Sequence, residues 1–343
     1  MATTLPLAER IAGLAWLGLG LQNLLADEGR FAALARQAYL ASNWFTEDNV
    51  RLALEQAAAA LTQERLLAWT KPYHLEPNVP KRVGLVLAGN LPLVGWADVL
   101  AVLVAGHRAL IKPSGQDEVL LKAVLAELAM VAPELSAQAE LVERLKEPDA
   151  VIATGGNNTA RYFEAYFGRY PHIIRKNRNS VAVLTGHETD EEMAQLGADV
   201  FTYFGLGCRS VSCVLVPADY EVGRLAKAFL PFAHLVDHHK YAGNLDYHKA
   251  IFLMNLDKFY DLGVVLVREE DKLYSPLSVL NLVRYQSPAD AAAWLEDRLA
   301  DIQVVVGSAE IYRGALPLGS SQRPGLADYA DGIDTLAWLD GLE

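Results

Sequence analysis

Cysteine is scarce in this chain: two in 343 residues, Cys208 and Cys213, five positions apart. That excludes a disulfide framework and fits a reducing compartment. No apolar run reaches the length of a membrane-spanning helix, and there is no internal repeat or low-complexity tract. Positive charge is in deficit, with 30 Lys and Arg against 42 Asp and Glu, for a formal net charge of -12. A surface of that sign repels nucleic acid and anionic membrane, so neither is expected as a partner. What remains is an ordinary globular chain, 52% hydrophobic and long enough for two domains. Ile11–Leu25 resembles the apolar core of a signal peptide. Only Arg10, beside Glu9, precedes it, however, and Asp-Glu-Gly-Arg follows where small residues should. It is read as a helix and the protein as cytoplasmic.

Residues 1 to about 75 lack strand-like alternation. Thr46 followed by two acids marks a helix start, and the run from Asn49 to Thr70 is strongly helix-forming. From Pro77 onward the pattern changes. Short apolar strands are predicted at 83–88, 108–112 and 150–153, alternating with helices at 96–105, 117–131 and 158–167. That alternation implies a parallel sheet covered on both faces. A second α/β region follows, with strands at 181–184, 212–216, 249–254, 264–267 and 278–283. Its helices are expected at 190–204, 221–229 and 288–299. The division expected is 1–180, 181–318 and 319–343.

Four segments carry chemistry. In Gly205-Leu-Gly-Cys208-Arg209 a cysteine follows two glycines between a helix and a strand, and Arg209 and the local backbone dipoles favour a thiolate there. Cys213, inside an apolar strand, reads as a small buried hydrophobe. In Leu87-Ala-Gly-Asn90, an asparagine lies just past a parallel strand, where α/β folds bind ligands, and its amide suits an oxyanion. Taken alone it reads better as a turn residue, since Gly-Asn is a common turn pair. Lys112-Pro-Ser114 ends the next strand with groups that suit a ribose or an adenosine phosphate. Thr154-Gly155-Gly156 lies between a strand and a helix start, a place for phosphate, although it is not the GxGxxG pattern.

Together these segments resemble, in order, the aldehyde dehydrogenase superfamily. AGNLPLVGW, ATGGNNTARYFEAYFG, PHIIRKNRNSVAVLTG and FTYFGLGCRSVS are similar to its acyl-CoA reductase branch, which includes the fatty-acid reductase component of bacterial bioluminescence. Tyr274-Ser-Pro-Leu-Ser-Val-Leu and the tail LADYADGIDTLAWL fit it too. The resemblance spans about residue 40 to the end. It implies an aldehyde dehydrogenase-like α/β fold: two Rossmann-like domains, an N-terminal helical layer, and a C-terminal segment returning to the sheet or a dimer interface. It implies Cys208 as nucleophile, Asn90 as oxyanion donor, and Lys112, Ser114, Thr154, Gly155 and Gly156 around NADPH or NADH. The substrate implied is an acyl-CoA thioester. The partner implied is a second copy or an acyl-transferring or acid-activating enzyme. An acyl carrier protein thioester or acyl phosphate as substrate, or a catalytically silent nucleotide-binding protein, are the alternatives.

Two departures stand out. Oxidising members carry a general-base glutamate in Glu-Leu-Gly-Gly-Lys-Ser-Pro, where this chain has Ile174-Arg-Lys-Asn-Arg-Asn-Ser180, without a carboxylate. Near Lys272 a ribose-binding glutamate is often found, and here Glu269, Glu270 and Asp271 precede the lysine. Arg175, Lys176 and Arg178 form the densest basic cluster, read either as a solvated turn or as a clamp for the NADPH 2'-phosphate or a coenzyme A phosphate. His234 and His238 share a helix face at metal-compatible spacing, but no further ligand completes a site and no metal is expected.

Overall fold

Four helices open the computed structural model, which describes residues 5–342. They are α1 (Leu7–Ala26), α2 (Glu28–Ala41), α3 (Glu47–Ala60) and α4 (Gln63–Thr70). Leu14, Leu17, Leu21 and Leu24 of α1 are buried at helical spacing. That explains the signal-like look of the segment: it is one apolar stripe of a core helix. The helix expected to run through to Thr70 breaks at Leu61, because Thr62 caps a new helix by accepting the Arg65 N–H.

The first parallel sheet follows, with β1 (Arg82–Val86), α5 (Trp96–Val104), β2 (Arg108–Lys112), α6 (Glu118–Val131), α7 (Pro133–Ser136), β3 (Ala139–Leu141), β4 (Ala150–Thr154), α8 (Asn157–Phe167) and β5 (His172–Arg175). The strand order is β3-β2-β1-β4-β5. The second sheet is built from β6 (Asn179–Val183), α9 (Asp190–Phe201), β7 (Val211–Pro217), α10 (Gly223–Phe229), α11 (His239–Met254), β8 (Tyr260–Asp261), β9 (Leu266–Glu269), β10 (Val279–Tyr285), α12 (Pro288–Glu296) and β11 (Ile302–Gly307). Its order is β11-β6-β7-β10-β9-β8, with only β8 antiparallel among the described residues. A last helix, α13 (Thr335–Asp340), packs on α5.

Residues 1–177 and 325–343 form one unit, and 178–324 the other. Each is Rossmann-like, and the four helices α1–α4 form the N-terminal layer of the first. The first core runs from Leu14 and Phe31 through Val83, Leu85 and Ile111 to Leu336 and Leu339. In the second, Val181, Val183, Leu215 and Ile302 are buried together.

The strand expected at 249–254 is instead the end of α11. Tyr241, Leu245 and Phe252 are its buried residues, at helical spacing, whereas Leu253 and Met254 are exposed. A short apolar run has no period of its own, and here the register of the preceding turns decided it. The helix expected to reach Phe204 stops at Phe201, because Tyr203 (φ 54°) and Phe204 (φ 59°) adopt left-handed backbone.

Candidate active site

In the first unit the candidate residues lie at the carboxyl ends of the strands. β1 pairs in parallel with β2 on one side and β4 on the other, aligning Val86 with Lys112 and with Ala153. From β1 the chain progresses through β2 to the β3 edge, and then restarts at β4 on the other side. The crevice between β1 and β4 is therefore the switch point, where such sheets bind ligands. Exposed Asn90 follows β1, and Thr154 ends β4 with Gly155-Gly156 after it. Lys112, also exposed, and half-buried Ser114 lie one strand further on.

Gly156 is the N-cap of the eleven-residue α8, whose opening N–H groups therefore sit at the end of β4. A side chain at Gly156 would find open space on all sides but one, touching only Asn177 at 3.7 Å. Gly155 has a different reason to be glycine: a Cβ there would stand 3.0–3.2 Å from Phe163 and Thr159. The backbone of this turn is thus open to a phosphate, with a dipole of the right sign.

The basic cluster is corrected by the structure. Arg175 is buried, its Nη1 donating to both Asp98 oxygens at 2.5 Å and its Nη2 to Thr335 Oγ1 at 2.9 Å. It joins β5, α5 and α13 inside the first unit, so it is not the exposed cation a phosphate clamp needs. Lys176 is exposed beside Glu164. Arg178 belongs to the second unit, where it donates to the Ile302 carbonyl.

In the second unit the loop before β7 presents Cys208. Its side chain is exposed, while the polar groups around it are held. Buried Ser180 donates to the Cys208 carbonyl at 2.9 Å. The Gly207 N–H donates to Ser210 Oγ, which also accepts from Gln322 Nε2. Arg209 Nε donates to the Ser321 carbonyl at 2.7 Å. Entry to the loop is a run of three left-handed residues, Tyr203, Phe204 and Gly205 (φ 76°), of which only the glycine adopts that conformation cheaply. Phe204 is fixed by packing: its ring lies 4.5 Å from His238 and 5.9 Å from Tyr241, whose hydroxyl donates to the Val264 carbonyl. Cys213 is fully buried in β7, and burial pushes its thiol pKa far up.

The other candidates resolve into internal support. Glu269 pairs with Arg284, Glu270 with Arg268 and Lys272, and Asp271 with Trp294 Nε1 and Arg298. Glu188 accepts from the Thr185 N–H and hydroxyl and from the Gly186 N–H. No group of three or more His, Cys, Asp or Glu side chains converges on a metal site among the described residues, and no helix of these residues is long and apolar enough to cross a membrane.

Three carboxylates escaped the reading of residues. Asp98 and Asp117 stand at helix starts and look like ordinary first-turn acids. Asp199 is buried in α9 and accepts the Gly319 and Ser321 N–H groups, which holds the segment that binds Arg209 and Ser210. Its signal was legible: Met193, Leu196 and Val200 mark an apolar stripe, and Asp199 falls on it.

A family model described as acyl-CoA reductase (LuxC) matches residues 42–227. No curated protein matches the chain at a significant level. Solved structures share the fold at low identity. An oxidoreductase from Marinobacter aquaeolei superposes with a TM-score of 0.73, at 12% identity, over 100% of this chain and 86% of that one. Aldehyde dehydrogenase 21 from Physcomitrella patens, in complex with the reaction product succinate, gives 0.71 at 13% identity, over 98% and 84%. Proline utilization A from Corynebacterium freiburgense gives 0.60 at 16% identity and 89% coverage, and this chain spans only 38% of that protein's length. The fold is therefore that of the aldehyde dehydrogenases.

Proposed function

The chain belongs to the acyl-CoA reductase (LuxC) family, and on that premise we propose that it reduces an acyl-CoA thioester to the aldehyde through an acyl-enzyme on Cys208. The observation that carries the reading is the contrast between its two cysteines. Cys213 is a buried strand residue, whereas Cys208 is exposed on a loop whose carbonyl, flanking N–H and flanking guanidinium are all held. A nucleophile needs that combination of access and fixed backbone.

The thiolate of Cys208 attacks the thioester carbonyl, and the coenzyme A thiolate leaves. The Asn90 amide is the donor proposed for the oxyanion formed in between. At the first unit's switch point the open Gly156 backbone at the head of α8 would hold a dinucleotide's pyrophosphate, with Thr154 and Gly155 shaping the turn and Lys112 and Ser114 on the adenosine side. NADPH or NADH held there would supply the hydride by which the Cys208 acyl-enzyme becomes a hemithioacetal. Collapse of that species frees the aldehyde and returns the Cys208 thiolate.

The test is NADPH and NADH consumption against a panel of acyl-CoAs, with acyl carrier protein thioesters and acyl phosphates as further arms. Wild type turns over at least one acyl-CoA, and Cys208→Ala has no turnover while still binding cofactor. Turnover by Cys208→Ala would overturn the assignment.

A further inference from the structure

Asp117 opens α6 but does not cap it. Elsewhere in the chain Asp27, Thr46, Thr62, Thr189, Ser287 and Asp334 accept an N–H from their own helix. The Asp117 carboxyl makes no such bond. Instead Oδ1 accepts the N–H of Leu93, 24 residues earlier, at 3.0 Å. Asp117 is 5% exposed. Burial pushes its pKa up to about 7, the Leu93 hydrogen bond only partly opposing it. The fold thus keeps a costly acid at this point and aims it away from the helix it begins.

The donor of that bond is a strained residue. Leu93 sits at φ 56°, where a leucine costs energy unless its neighbours hold it. The loop from Leu87 to Leu93 is fastened to the loop from Lys112 to Asp117 at three points. The Leu87 N–H donates to the Lys112 carbonyl at 3.2 Å. Gly89 lies against Ser114 so closely that a Cβ would be 2.3 Å from the hydroxyl oxygen. Leu93 is held by Asp117. Asn90 falls between the second and third fastenings.

We propose that Asp117 is the positioning residue for Asn90, its buried carboxyl clipping the strained Leu93 so that the asparagine amide is held in one place above β1. The proposal rests on the reading of Asn90 as an oxyanion donor. It requires an acceptor at position 117 but not a negative charge, so an asparagine, whose side-chain oxygen accepts the same N–H, should replace it.

The experiment is a mutant cycle with Asn90→Ala, Asp117→Ala, Asp117→Asn and the double Asn90→Ala/Asp117→Ala. It is read as kcat and KM for the acyl-CoA and for NADPH, with circular dichroism and Cys208 alkylation reporting the folded fraction. Asn90→Ala should lower kcat by about 10²-fold, as loss of an oxyanion donor does. Asp117→Ala should lower kcat by about tenfold or more with little change in the KM for NADPH. Asp117→Asn should restore most of the loss. The double variant should be no slower than Asn90→Ala, because a clip has nothing left to position. If the two losses multiply, or if Asp117→Asn is as slow as Asp117→Ala, the proposal is overturned. If Asn90→Ala runs at the wild-type rate, the oxyanion reading itself has failed. Hydrogen exchange over residues 87–95 reads the clip without any catalysis: it should rise in Asp117→Ala and return in Asp117→Asn, and unchanged exchange in Asp117→Ala would refute the clip.

Discussion

Arg175→Met should destabilise the first unit rather than weaken cofactor binding. The guanidinium and the Asp98 carboxylate have side chains 7% and 10% exposed, joined through Nη1 at 2.5 Å, and Nη2 continues to Thr335 at the start of α13. Removing the cation leaves Asp98 buried without its partner, a loss of about 3–5 kcal/mol for pairs of this kind. A unit of roughly 200 residues unfolds with an entropy of about 0.4 kcal/mol per kelvin, so the midpoint should fall by about 7–12 °C. Five of the six tryptophans, Trp16, Trp44, Trp69, Trp96 and Trp338, lie in this unit, so fluorescence-detected melting reports on it. The double variant Asp98→Leu/Arg175→Met should recover more than half of the loss, since an apolar pair carries no buried charge. An unchanged midpoint together with a raised KM for NADPH would refute the argument and return Arg175 to the phosphate clamp.

Cys213→Ala should leave turnover nearly intact and iodoacetamide labelling at neutral pH unchanged, because burial holds the Cys213 thiol protonated; mass spectrometry of the labelled peptide checks this, and label on Cys213 would contradict it. Asp117 makes stability fall as pH rises: the unfolded chain releases this proton near pH 4 and the native state holds it to about 7. The contribution is therefore complete below pH 4 and lost by about pH 7, a displacement worth about 4 kcal/mol at most. Asp117→Asn should accordingly match wild type near pH 4 and exceed it at pH 8 in urea titration, and equal stability at pH 8 would contradict the assignment. Run in reverse, aldehyde and NADP+ or NAD+ should give acyl-CoA when coenzyme A is present, but without it no more than one reduced cofactor per Cys208. The 174–180 stretch offers no carboxylate to activate water, and Glu188 is occupied by its own turn. Sustained free acid production would show that another base is supplied.

Local chemistry wrote most of the fold into the sequence. The alternation of apolar runs and helix-forming stretches after Pro77 announced parallel α/β units, because strands buried on both faces must be continuously apolar and helices must carry a stripe. Thr46 announced its helix because a cap needs only its next three residues. The distinction between the cysteines was legible for the same reason: glycines flank one and strand residues flank the other. Signals failed where a segment was too short to have a period. β3, with three residues, was invisible, and the end of α11 read as a strand. What only the tertiary structure decided is the fate of the charges. Arg175, Lys176 and Arg178 are adjacent in sequence and chemically alike, yet Arg175 is buried on Asp98, a partner 77 residues away. Asp117 and Asp199 likewise took backbone partners 24 and about 120 residues distant. Hydrophobic patterning acts between residues a few positions apart and can be read along the chain. A buried charge is satisfied by whatever group the completed packing brings within about 3 Å, and that group carries no mark in the local sequence.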